Sequence, residues 1–66
     1  MHVEVNGRTR ELEAPITLGE LIDAEVADRR GVAVSLNGEV LPRSAWDATP
    51  LDHGARVELV GAVQGG

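Results

Sequence analysis

The sequence predicts an α+β fold in which a β-sheet packs on a single α-helix. Three observations carry that expectation. Apolar residues alternate at Val3 and Val5 and again through Val32-Ala33-Val34-Ser35-Leu36, the period of two of a half-buried strand. Each alternating run ends in Asn-Gly, at Asn6-Gly7 and Asn37-Gly38, and this pair accepts positive φ at both centres of a type I′ hairpin turn. Between the two runs Leu18, Leu21, Ile22 and Val26 recur at helical spacing.

Residues 1–13 read as the first hairpin, running from Val3 and Val5 through the turn to Leu12. A strict two-residue turn puts Arg8 and Arg10 on the face of Val5 and Val3. Either their stems cover the edge of the core or the register slips. Pro15 breaks the strand, and the helix follows. Thr17 and Glu20 have the spacing of a capping box, and Ile16 and Leu21 that of a hydrophobic staple. The helix is expected over residues 18–29, with Gly31 as its C′ residue and Arg29 and Arg30 at the negative end of its dipole. Its outer face, carrying Glu20, Asp23, Glu25 and Asp28, reads as solvated surface.

After Gly31 come a strand over 32–36, the second turn and a short strand that Pro42 ends. Residues 43–50 are too short for a packed helix and read as a 3₁₀ turn or a connector. Leu51-Asp52-His53-Gly54 forms a tight turn with Gly54 at positive φ, and a last strand over 55–60 points Val57 and Leu59 inward. The order is β-β-α-β-β-β, that of a β-grasp, in which a mixed sheet wraps one α-helix. The expected core is Val3, Val5, Leu12, Ile16, Leu18, Leu21, Ile22, Val26, Val32, Val34, Leu36, Val40, Leu41, Leu51, Val57 and Leu59.

At 66 residues the chain is one small domain that needs nearly all of these residues for packing. It is too small to enclose a ligand pocket of about 300 Å³ or more, so it is not expected to be an enzyme or to bind a cofactor of its own. With no cysteine it has no disulfide, thiolate metal site or cysteine nucleophile. A formal charge of -5 disfavours nucleic acid and suits a basic protein surface. No stretch resembles a signal peptide or a membrane span, so a cytoplasmic location is expected. All six cations are arginines. A surface without lysine suits a protein that carries an activated acyl group, and a bias toward arginine codons is the other explanation.

The sequence closes on Gly65-Gly66, which divides it into a domain over 1–60 and a tail over 61–66. Without side chains, such a tail can thread a narrow channel and expose its last carbonyl to attack from either face. Fraying of a terminus is the alternative. The remaining candidates read as structural. His2 and His53 lack metal-ligand spacing and read as surface histidines. Asp47 and Asp52 read as turn residues, Ser35 and Ser44 have no base nearby in sequence, and Trp46 reads as a packing residue rather than a partner anchor. The exposed sheet and the last strand are the expected docking region.

The segment Leu36-Asn37-Gly38-Glu39-Val40-Leu41-Pro42-Arg43-Ser44-Ala45-Trp46, the turn Leu51-Asp52-His53-Gly54 and the terminal Gly65-Gly66 together resemble the ThiS sulfur-carrier family of thiamine biosynthesis. The resemblance covers the whole chain. His53 departs from it where Asp is usual, and Gln64 where Ala is frequent. The resemblance implies a ubiquitin-like β-grasp and a carrier cycle. An ATP-dependent, ThiF-like adenylyltransferase activates Gly66, a sulfur donor protein converts it to a thiocarboxylate, and a ThiG-like thiazole synthase takes the sulfur. Gly65 and Gln64 would serve tail recognition, and ATP and metal would belong to the activating enzyme. A carrier serving molybdopterin or another acceptor, a ubiquitin-like modifier, and a binding module with an incidental Gly-Gly are the alternatives.

Overall fold

Both Asn-Gly pairs close hairpins, and the hairpins frame the rest of the sheet. The computed structural model describes residues 1–13 and 15–61. Strand β1 (His2–Val5) turns at Asn6 (φ 51°) and Gly7 (φ 83°) into β2 (Arg8–Glu11). Helix α1 (Leu18–Glu25) follows, then β3 (Val32–Leu36), which turns at Asn37 (φ 52°) and Gly38 (φ 88°) into β4 (Glu39–Leu41). A single helical turn, α2 (Arg43–Trp46), and β5 (Arg56–Gly61) complete the described chain.

The sheet has the order β2-β1-β5-β3-β4. Strand β5 runs parallel to β1 in the middle, and the other pairings are antiparallel. This is the mixed sheet on one main helix that the element order predicts. The last strand, which carries the chain toward Gly65-Gly66, therefore lies at the centre of the sheet. Among the described residues no helix is long and apolar enough to cross a membrane.

The core joins Val3, Val5, Val34 and Val57 of the sheet to Leu18, Leu21 and Ile22 of α1, with Leu12, Trp46, Leu51 and Ala55 closing the ends. Ile16, Val26, Val32, Leu36, Leu41 and Leu59 pack partly buried around it. Val40 is the exception to the expected list, at 74% exposed. Leu41 lies opposite Val34 and faces inward, so strand alternation turns Val40, opposite Ser35, to the other side. An apolar pair in one strand cannot place both members in the core.

The first hairpin keeps the strict register, with Val5 opposite Arg8 and Val3 opposite Arg10. Arg8 is exposed at the end of its strand. Arg10 covers the core edge half-buried and forms an ion pair with Glu25 at the end of α1. Glu25 is thus a helix-to-sheet contact rather than simple solvated surface.

Helix α1 starts as its sequence requires. The Glu20 N–H donates to the Thr17 hydroxyl (3.1 Å), and the Thr17 N–H donates to Glu20 Oε1 (2.9 Å), a complete capping box. It ends four residues short of the expected 29, where Val26 turns extended at φ -129° and ψ 150°. The reason lies in Arg29. A helix continued through it would lift Arg29 about 9 Å beyond Asp23 and about 15 Å beyond Gly19 along the axis. The chain instead folds back, and Arg29 binds both. Arg29 and Arg30 therefore do not cap the helix dipole, and no basic residue stands in the last turn. Gly31 does adopt positive φ (76°), but in the turn entering β3.

Candidate functional site

Strand β5 brings the chain to Gly61, which pairs with Val32 at the end of β3. Gln64, Gly65 and Gly66, the residues expected to carry the chemistry and its recognition, lie outside the described residues.

Alternation along β5 buries Val57 completely and turns Glu58 and Val60 to the face opposite α1. Val60 is 70% exposed and lies opposite Ala33, and strand β3 separates it from Val40. These apolar residues form an open strip on the outer sheet face directly beside the tail root. A depression of about 170 Å³ lined by Ala33, Val34, Ser35, Val40, Glu58 and Val60 runs through it. It is open to solvent and smaller than a typical cofactor pocket. The Ser35 hydroxyl donates to Glu58 Oε1 (3.3 Å), leaving a polar margin on one side.

The two turn asparagines hold β5 in place. Asn6 accepts the Leu59 N–H at Oδ1 (2.8 Å) and donates from Nδ2 to the Leu59 carbonyl (3.3 Å). Asn37 accepts the Arg56 N–H at Oδ1 (2.9 Å). Asparagine tolerates the left-handed turn conformation and still offers both an acceptor and a donor, which glycine cannot. The sequence marks these residues as turn formers; nothing local to them shows that their side chains reach β5.

Beyond the sheet, Trp46 is 1% exposed and donates from Nε1 to the Leu41 carbonyl (3.1 Å), as a packing residue should. The Arg29 guanidinium lies 5.7 Å from its ring centroid. Arg29 also donates to Asp23 (2.7 and 2.9 Å), Asp47 (2.8 and 3.2 Å) and the Gly19 carbonyl (3.2 Å). Hydrogen bonds from Arg29 hold the carboxyls of Asp23 and Asp47 below the usual carboxylate range, and the two acids raise Arg29 in return. Asp47 is thus one end of a bridge between the two helical segments. Asp52 shapes the turn before β5, where its carbonyl accepts the Ala55 N–H (3.0 Å).

His2 and His53, remote in sequence, meet. Their ring centroids are 4.2 Å apart, and the His2 N–H donates to His53 Nδ1 (3.2 Å). Both are exposed, and the described residues contain no group of three or more potential ligands placed to hold a metal ion. Ser44 is exposed on α2.

A small mixed sheet packed on one main helix, with β5 at its centre parallel to β1, defines a ubiquitin-like β-grasp protein. The ThiS family profile matches residues 3–66, and the chain belongs to that family. It is similar to the thiamine biosynthesis protein ThiS of Geobacter metallireducens, at 39% identity and a TM-score of 0.83, with all of both chains covered in the crystal structure. The solution structure of a thiamine biosynthesis protein from the same organism gives a TM-score of 0.78 at 39% identity, covering 100% of this chain and 88% of that one. Among curated proteins it is similar to a thiazole synthase of Paramagnetospirillum magneticum, 32% identical over 66 residues. That match covers 100% of this chain and 20% of the thiazole synthase, so the chain spans a fifth of that relative's length.

Proposed function

We propose that this protein is a sulfur carrier of thiamine biosynthesis, a cosubstrate of partner enzymes rather than an enzyme itself. The observation that carries the reading is the union of ThiS family membership with a central strand that leads to Gly65-Gly66 beside an open apolar face. A bare carboxylate resists nucleophiles. In the proposed cycle a Gly66 carboxylate oxygen attacks the α-phosphorus of ATP on a ThiF-like activating enzyme and pyrophosphate leaves. The outer sulfur of a donor protein's persulfide then attacks the acyl carbon and AMP leaves, and a thiol that attacks the donor-side sulfur of the resulting acyl disulfide takes that sulfur into a new disulfide and releases the C-terminal thiocarboxylate. The activating enzyme supplies the metal and ATP site.

The acceptor of the sulfur is a thiazole synthase, and its support is the relative of that name in which a segment similar to this chain makes up a fifth of the protein. Gly65 and Gln64 serve recognition of the tail, and the strip around Val60 and Val40 docks against the enzymes that receive it. From Val60 to Gly66 the tail spans six residues, about 20 Å when extended. That length reaches a recessed active site while the domain stays outside. The cytoplasm, where ATP is available, is the proposed site of action.

ATP-pyrophosphate exchange with a ThiF-like enzyme tests the reading. The whole chain should support exchange, whereas the chain lacking Gly66 or carrying Gly65→Leu should not. Exchange that survives deletion of Gly66 contradicts the assignment of its carboxylate.

A further inference from the structure

The chain has two Asn-Gly pairs, and the fold treats their side-chain amides differently. At Asn6 both ends of the amide are bonded to Leu59, whose N–H donates to Oδ1 (2.8 Å) and whose carbonyl accepts from Nδ2 (3.3 Å). At Asn37 only Oδ1 is engaged, by the Arg56 N–H (2.9 Å), while the Asn37 N–H donates to the Arg56 carbonyl (2.7 Å). Among the described residues Asn37 Nδ2 makes no hydrogen bond, and the residue is exposed. A Cβ built on Gly38 would meet nothing within 4 Å, so the peptide after Asn37 has open space to turn in.

This arrangement prepares Asn37 for attack by its own backbone. Glycine has no side chain to block the approach of its nitrogen to the preceding asparagine. The Gly38 nitrogen gives up its proton to solvent base and bonds to Asn37 Cγ. Negative charge gathers on Oδ1 as that bond forms, and the Arg56 N–H already donates there. Nδ2 takes up a proton and departs as ammonia, which closes a five-membered succinimide. Water then adds to one of the two ring carbonyls, the C–N bond at that carbonyl breaks, and the product is aspartate or isoaspartate. Asn6 receives the same activation from the Leu59 N–H, but its departing nitrogen is tied to the Leu59 carbonyl. Its ring closure has one more bond to break.

We propose that Asn37 is a site of spontaneous covalent modification, in which closure onto Gly38 and opening by water yield isoaspartate and release β4 from its register. The site does not depend on the carrier chemistry. Aspartate at this position keeps an acceptor for the Arg56 N–H. Isoaspartate instead routes the main chain through Cγ and adds one atom to the turn, so the two-residue connection that sets Leu36 opposite Glu39 no longer closes.

The damage falls on the outer face. β4 is an edge strand of three residues paired with β3 alone, and Val40 is its middle residue. The far end of that strand stays anchored, because Leu41 packs against the core and its carbonyl accepts the Trp46 Nε1–H. Val40 therefore loses its place opposite Ser35 while the core beneath is kept. The apolar strip would lose one of its exposed valines with the age of the protein.

The test is peptide mapping by mass spectrometry of the full chain held at mildly alkaline pH. Asn37 should convert about threefold to tenfold faster than Asn6, the factor that one additional hydrogen bond is worth. In concentrated guanidinium chloride, where both pairs are free, the two rates should become equal. Equal rates in the folded protein, faster conversion of Asn6, or no conversion at either site overturns the assignment. A preference for Asn37 that persists in denaturant does so as well, since the fold then has no part in it. The isoaspartate form, separated by ion exchange, is next compared with the unmodified protein by amide hydrogen exchange. Protection should fall in β4 and hold in β1 and β5. Unchanged protection in β4, or a loss spread across the sheet, contradicts the local release.

Discussion

Trp46 shows how one residue closes this small core. It is buried beneath α1 and the sheet, its indole N–H is satisfied by Leu41, and Arg29 stacks near its face. Replacing a buried tryptophan by alanine removes about 3 to 5 kcal/mol, a large share of the stability of a domain this size. Trp46→Ala should therefore be largely unfolded near physiological temperature by circular dichroism. A variant that melts like wild type and loses only partner binding would make Trp46 an interface residue instead. Arg29 adds a dependence on pH. The carboxyls of Asp23 and Asp47 are lowered in the fold, so the stability they contribute is present above their unfolded pKa of about 3.9 and is lost as pH falls through the lower folded values. The melting temperature should drop between about pH 5 and about pH 2, and Arg29→Gln should flatten that drop. Equal slopes for the two proteins would remove Arg29 from the acid response.

At the scale of elements, the capping box and the turn clamps make separable predictions. Thr17→Ala removes the acceptor of the Glu20 N–H and should cost about 1 kcal/mol, read as a shift in denaturant midpoint. Asn6→Gly keeps a residue that accepts positive φ but loses both bonds to Leu59, so it should also destabilise by about 1 kcal/mol. A neutral Asn6→Gly would show that turn conformation alone explains the asparagine. These elements also show what was legible. The turns, the capping box and the start of α1 depend on residues within four positions of one another, and their sequence reading matches the structure. The early end of α1 goes with Arg29 folding back onto Asp23 and the Gly19 carbonyl, contacts it shares with Asp47, 18 residues away, and the outward turn of Val40 depends on its register with Ser35. The grip of Asn6 on Leu59 and the meeting of His2 with His53 span about fifty residues. Local periodicity carries no trace of any of these pairings.

Across the whole molecule, the core draws on residues between Met1 and Leu59, and the proposed chemistry falls beyond β5. Membership of the ThiS family was legible in the motifs from Leu36 to Trp46, in the turn at Leu51–Gly54 and in Gly65-Gly66, whereas the shared outer face of Ala33, Val40 and Val60 became visible only when strand order set β5 between β1 and β3. Separation of stability from function is the expected consequence. Removing Gly65 and Gly66 should leave the melting temperature unchanged and abolish activation, and a lower melting temperature would tie the terminus to the fold. The central claim is chemical and has a direct readout. Intact-mass analysis of the protein incubated with a ThiF-like activating enzyme, ATP and a sulfur donor should show one oxygen replaced by one sulfur, localised by fragmentation to Gly66. An unchanged mass, under conditions in which the same enzymes convert a ThiS protein such as that of Geobacter metallireducens, would contradict it.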